Sequence, residues 1–177
     1  MKSIRIFLLI LIILGIILIC TQSIWVPKIV NMILVSEGVY PQTFADYKNA
    51  VYTVDGQPVT PDGNAKDAMT TQYFGNDAVG DLNNDGTPDI GFIITQSGGG
   101  SGTFYYVVVA LKTANGYQGT NAIFLGDRIA PQTTEIKNGQ LIVNYADRAK
   151  GEAMATAPSV GVSKYLEVIG NTLVVVK

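Results

Sequence analysis

Residues Thr103-Phe104-Tyr105-Tyr106-Val107-Val108-Val109-Ala110-Leu111 are the most restrictive stretch of this 177-residue chain. Aromatic and β-branched side chains fit an extended, pleated backbone. A strand with one face in water alternates apolar and polar residues, and this run does not. It is therefore expected as a central, buried strand, which makes a sheet the organising element of the domain.

The neighbouring segments extend that expectation. Residues 50–54 and 57–60 flank Asp55-Gly56, and residues 134–137 and 140–145 flank Asn138-Gly139. Both dipeptides suit tight hairpin turns, because their backbones tolerate positive φ. Residues 121–125 read as a further strand, and 165–168 with 172–176 as a last pair turning at Gly170-Asn171. Residues 61–72 have fair helix propensity through Ala65, Lys66, Asp67, Ala68 and Met69. The expected class is mainly β: an N-terminal transmembrane helix, then one mostly antiparallel β domain.

The amino terminus points to a membrane. Residues 4–19 are large and apolar except for Arg5 and Gly15, and Lys2 and Arg5 form a positive flank. Twenty residues from Ile6 to Trp25 span about 30 Å as a helix, the thickness of a hydrocarbon core. Trp25 falls where an interfacial aromatic belongs. Lipoprotein cleavage before Cys20 is disfavoured by the large Ile19, and cleavage after Ser23 lacks an Ala-x-Ala pattern. The expectation is a retained anchor over residues 1–26, a juxtamembrane linker over 27–46 and an extracytoplasmic domain over 47–177. The protein would then be a single-pass protein of the cytoplasmic membrane.

Composition narrows the function. From residue 36 onward nine basic residues face fourteen acidic ones, a net charge of −5. A nucleic-acid binder would carry a basic patch instead. There is no histidine, and the single cysteine lies in the anchor, so the commonest general base and any exposed thiol nucleophile are missing.

Chemistry concentrates in Asp81-Leu82-Asn83-Asn84-Asp85-Gly86-Thr87-Pro88-Asp89. Oxygen-bearing side chains stand at positions 1, 3, 5 and 9, and the glycine at position 6 permits a sharp reversal. Ca²⁺ takes six to eight oxygen ligands, so this spacing suits it, and suits it better than Mg²⁺. An Asx-rich turn without metal is the plain alternative. Charge argues against that: no basic residue occurs between Lys66 and Lys112, while five aspartates do. Carboxylates crowded into one loop repel unless a cation sits among them. Counting twelve from Asp81 reaches Phe92, not the glutamate of an EF-hand, and strand formers rather than helices flank the loop.

The segment resembles the Asp-x-Asn/Asp-x-Asp-Gly-x-x-Asp loops of FG-GAP modules (the VCBS and integrin type), which join two strands. That resemblance implies side-chain ligands from Asp81, Asn83, Asp85 and Asp89 and a backbone carbonyl from Thr87. A single such loop and no internal repeat distinguish this chain from a full propeller. Residues 104–127 and 144–165, notably Phe124-Leu125-Gly126-Asp127-Arg128 and Asn144-Tyr145-Ala146-Asp147-Arg148, also resemble a group of uncharacterised bacterial envelope proteins. These have an N-terminal signal or anchor and one loop of this kind, which implies location and fold but no mechanism.

Other candidates are weaker. Ser97-Gly98-Gly99-Gly100-Ser101-Gly102 lacks the Gly-Lys-Ser/Thr ending of a phosphate loop and reads as a connection between buried strands, with a possible role as a recognition edge. Asp127, Asp147 and Glu152, with Glu135 nearby, are the carboxylates an envelope hydrolase of glycosidase type would use. Arginine beside Asp127 and Asp147 favours the ionised form, the opposite of what a general acid needs. Ser159 and Ser163 lack Ser-x-x-Lys spacing to Lys164 and read as strand-entry residues. The leading expectation is a calcium-binding structural or interaction module of the cell envelope, with an envelope protein or a glycan as partner.

Overall fold

The computed structural model describes residues 46–61 and 69–176, all within one compact unit, Gln42–Lys177. The expected membrane anchor and most of its linker lie outside the described residues. Among those described, no helix is long and apolar enough to cross a membrane.

Among the described residues, eleven strands follow a short 3-10 turn, Tyr47–Asn49, capped by the Asp46 carboxylate on the Lys48 N–H. The five-stranded sheet holds β3 (Thr70–Gly80), β4 (Asp89–Ser97), β5 (Phe104–Thr113), β6 (Gly116–Gly119) and β7 (Ile123–Asp127). Its order is β3-β4-β5-β6, and β7 pairs with the other half of β5, so β6 and β7 share one edge of that strand. A four-stranded sheet has the order β11-β10-β9-β8, from β8 (Ala130–Lys137), β9 (Gln140–Asp147), β10 (Val160–Ile169) and β11 (Thr172–Val175). The hairpin of β1 (Tyr52–Val54) and β2 (Gln57–Val59) forms a third, small sheet. All strand pairs are antiparallel; one isolated parallel bridge joins Thr53 to Asn121.

The five-stranded sheet is buried on both faces, which explains the unbroken apolar run of β5. Alternate side chains of a strand point to opposite faces. Val107, Val109 and Leu111 join Ile93 in a core shared with Leu141, Val143 and Tyr145 of β9, Leu166 of β10 and Leu173 of β11. Tyr106, Val108 and Ala110 join Phe92 and Ile94 in a second core, closed by Ala50, Tyr52 and Val54. Tyr47 braces that side: its ring meets Phe92 edge-on at 5.3 Å, and its hydroxyl donates to Asp77 at 2.7 Å.

The hairpin turns follow the dipeptides. Asp55 and Gly56 have φ of 49° and 78°, and Asn138 and Gly139 have 53° and 74°. Two expectations need correction. Thr70, Thr71 and Gln72 open β3, paired with residues at the far end of β4, and are not helical; the remainder of the expected helix, residues 62–68, lies outside the described residues. Ser163 sits within β10 opposite Asn144, not at a strand entry. The strand β6 was not expected, because two of its four residues are glycine. Gly119 is there for space: a Cβ on it would stand 2.3 Å from the Val51 carbonyl oxygen and 2.7 Å from the Tyr52 ring.

Candidate functional site

The Asp-rich loop joins β3 to β4 at one end of the five-stranded sheet. Leu82, an apolar residue between Asp81 and Asn83, is buried in the inter-sheet core and anchors the loop there. Asn84 and Gly86 have φ of 60° and 84°, the left-handed positions that reverse the chain.

Side-chain oxygens then fold the backbone around them. The Asp81 carboxylate accepts the N–H groups of Asp85 at 3.2 Å and Gly86 at 2.9 Å. Asn83 Oδ1 accepts the Asp85 N–H at 3.0 Å, and Asn83 Nδ2 donates to Asp85 Oδ2 at 2.9 Å. Asp85 Oδ1 accepts from the Thr87 hydroxyl and from the Thr87 N–H, the latter at 2.7 Å. These bonds, led by the Thr87 hydroxyl, hold the Asp85 carboxyl below the usual carboxylate range.

Asp89 differs from the other three. It is fully buried, with Oδ2 accepting the Leu82 N–H at 3.0 Å and Oδ1 the Lys112 N–H at 2.8 Å. Burial pushes its carboxyl up, the two backbone bonds pull it down, and the charges of Asp85 and Asp81 push it up again. Asp81 and Asp85 are thus electrostatic neighbours of Asp89. The one ion pair among the described residues is Arg128–Asp127 at 2.9 Å, so no cationic side chain there balances the loop.

The donor chemistry fits a hard dication: every candidate ligand is an oxygen, and among the described residues the loop's three carboxylates have no ion-pair partner. Among the described residues, however, no three acidic, histidine or cysteine side chains are gathered closely enough to hold a metal ion between them. The sequence reading missed the roles of Leu82 and Lys112. A lone apolar residue inside an acidic loop hints at the first. Nothing local hints at the second, which depends on strand register.

The remaining candidates fall elsewhere. Residues 98–102 cap the β4–β5 hairpin, at the opposite end of β4 from the Asp-rich loop, so their closeness in sequence is not closeness in space. Asp127 and Asp147 end β7 and β9, and the two Asp-Arg pairs meet. Arg148 Nη1 donates to the carbonyl oxygens of Arg128 at 3.0 Å and Asp127 at 3.3 Å, and Arg148 Nε donates to Thr156 O. The Arg128 guanidinium, the Thr103 N–H and the Arg148 charge together hold the Asp127 carboxyl low. That is a brace between strand ends, and its electrostatics oppose a general acid. Glu152 is exposed and accepts the Ala149 N–H at 2.8 Å, while Glu135 is an exposed residue of β8. Lys164 donates to the Phe124 carbonyl at 2.8 Å, and burial pushes its amine down.

Comparison with family models, with curated proteins and with solved structures finds no match to this chain.

Proposed function

We propose that the protein is a membrane-anchored, extracytoplasmic β domain in which one Ca²⁺ bound by the 81–89 loop clamps the domain, and that it serves as a structural or interaction module of the cell envelope. Asp81, Asn83, Asp85 and Asp89 are the side-chain donors in this reading, and Thr87 contributes its carbonyl oxygen. What supports it most is a single observation: among the described residues, the three carboxylates of this one loop, one of them fully buried, have no cationic partner. A bound dication supplies the missing charge. Millimolar calcium outside the cell would fill even a low-affinity site of this kind. The apolar segment of residues 4–19 supports the membrane location, and the partner is an envelope protein or glycan.

Calorimetric Ca²⁺ titration of the full chain in detergent, after chelation, tests the metal. Heat of binding that disappears in Asp81→Ala is expected. Titration without heat in the wild-type chain, together with identical melting in calcium and in EDTA, would reduce the loop to an Asx-rich turn.

A further inference from the structure

A cavity of about 400 Å³ opens between the β1–β2 hairpin and the paired ends of β3 and β4. That size lies in the range of small-molecule sites. It is unrelated to the calcium reading, because Gln96 lies near the far end of β4, roughly 23 Å along the strand from Asp89 at 3.3 Å per residue.

Its lining combines an apolar wall with a fixed, buried polar pair, and the exposed Asp55 and Gln57 stand at its rim. Val54, Pro58, Val59 and Met69 supply the wall. Thr71 and Gln96 supply the pair; they are 7% and 8% exposed, and Gln96 Nε2 donates to Thr71 Oγ1 at 3.1 Å. Buried polar side chains are rare here: among the described residues only Asp89 and Thr120 join these two. The bond between them assigns the rest of their capacity. Thr71 accepts from Gln96 and keeps its own proton to donate, while Gln96 keeps its amide oxygen to accept. One donor and one acceptor thus stand side by side against apolar carbon. Among the described residues no lysine or arginine lines the cavity, and Asp55 lies at it, which disfavours an anion.

We propose that this cavity binds an acetamido group, the N-acetyl function of amino sugars and of acetylated peptides. The ligand carbonyl accepts from the Thr71 hydroxyl, its N–H donates to the Gln96 amide oxygen, and its methyl packs on Val54, Val59 and Met69. A secondary amide bearing a methyl matches both hydrogen-bonding roles and the wall; a simple alcohol leaves the methyl subsite empty.

Saturation-transfer NMR on the full chain, with N-acetylglucosamine, N-acetylglycine methylamide and glucose as probes, tests this. Expected is millimolar binding of at least one N-acetyl probe, with the acetyl methyl most strongly saturated, and none of glucose. Binding of the sugar alone or of the peptide amide alone assigns the source, and either supports the site. The isosteric Thr71→Val should weaken binding about tenfold, the worth of one well-made hydrogen bond. Val59→Trp, which fills the cavity and leaves the polar pair intact, should abolish it in a chain whose circular dichroism is unchanged. Equal binding of glucose, no binding of either N-acetyl probe, or binding indifferent to both substitutions overturns the proposal.

Discussion

Asp89 and Lys112 are joined by a 2.8 Å hydrogen bond from the Lys112 backbone N–H to the buried Asp89 carboxylate, across 23 residues of chain. The second oxygen of the same carboxylate takes the Leu82 N–H. One side chain therefore ties the Asp-rich loop, the first residue of β4 and the end of β5 together.

Asp89→Ala leaves both N–H donors without their acceptor. An unsatisfied buried donor costs about 1–3 kcal/mol, so the two together are expected to cost about 2–6 kcal/mol. Asp81→Ala, at a less buried site, should cost under about 1 kcal/mol without calcium. Urea denaturation in EDTA compares them, and equal costs would show that Asp89 does not tie these elements together.

Calcium should raise the melting temperature of the wild-type chain and not that of Asp85→Ala. At a hundredfold excess over the dissociation constant, binding stabilises by about 2.7 kcal/mol, which for a domain of this size is roughly 5–15 °C. Differential scanning calorimetry with and without EDTA measures it.

Gly119→Ala should push the 50–54 segment off the five-stranded sheet, because the new methyl meets the Val51 carbonyl and the Tyr52 ring. Overpacking of this kind costs about 1–3 kcal/mol. Gly56→Ala meets no atom within 4 Å, though its φ of 78° still strains the turn. Greater loss of near-ultraviolet tyrosine signal in Gly119→Ala is expected, and an unperturbed spectrum would show that the segment adapts freely.

The Asp127 carboxyl is held low chiefly by Arg128, so its contribution to stability is present above the ordinary aspartate range, near pH 4. It is lost as pH falls through that range toward the folded-state value, where the carboxylate must protonate. Asp127→Asn lacks this contribution at every pH. The gap in melting temperature between wild type and variant should therefore close on acidification from neutrality to below pH 4; a gap constant with pH would count against the Arg128 pairing.

Local chemistry made much of this domain legible from the chain alone. Asp55-Gly56 and Asn138-Gly139 specify tight turns because their own backbones accept positive φ, wherever the partner strands lie. The apolar run 103–111 announces a strand buried on both faces, since its composition leaves no side for water. The spacing of Asp81, Asn83, Asp85 and Asp89 places oxygens around a glycine reversal for the same local reason. Tertiary structure decided the rest. β6 exists because β5 offers an unpaired edge and Tyr52 needs a neighbour without a side chain, neither of which a Gly-Tyr-Gln-Gly segment reveals. Thr70 to Gln72 became strand because β4 was there to pair with, which overrides a modest helix propensity. Which backbone N–H groups satisfy Asp89, and which polar pair lines the cavity at the other end of β4, are matters of strand register. Register is set by long-range packing of side chains on both faces of the sheet, and no stretch of sequence contains it by itself.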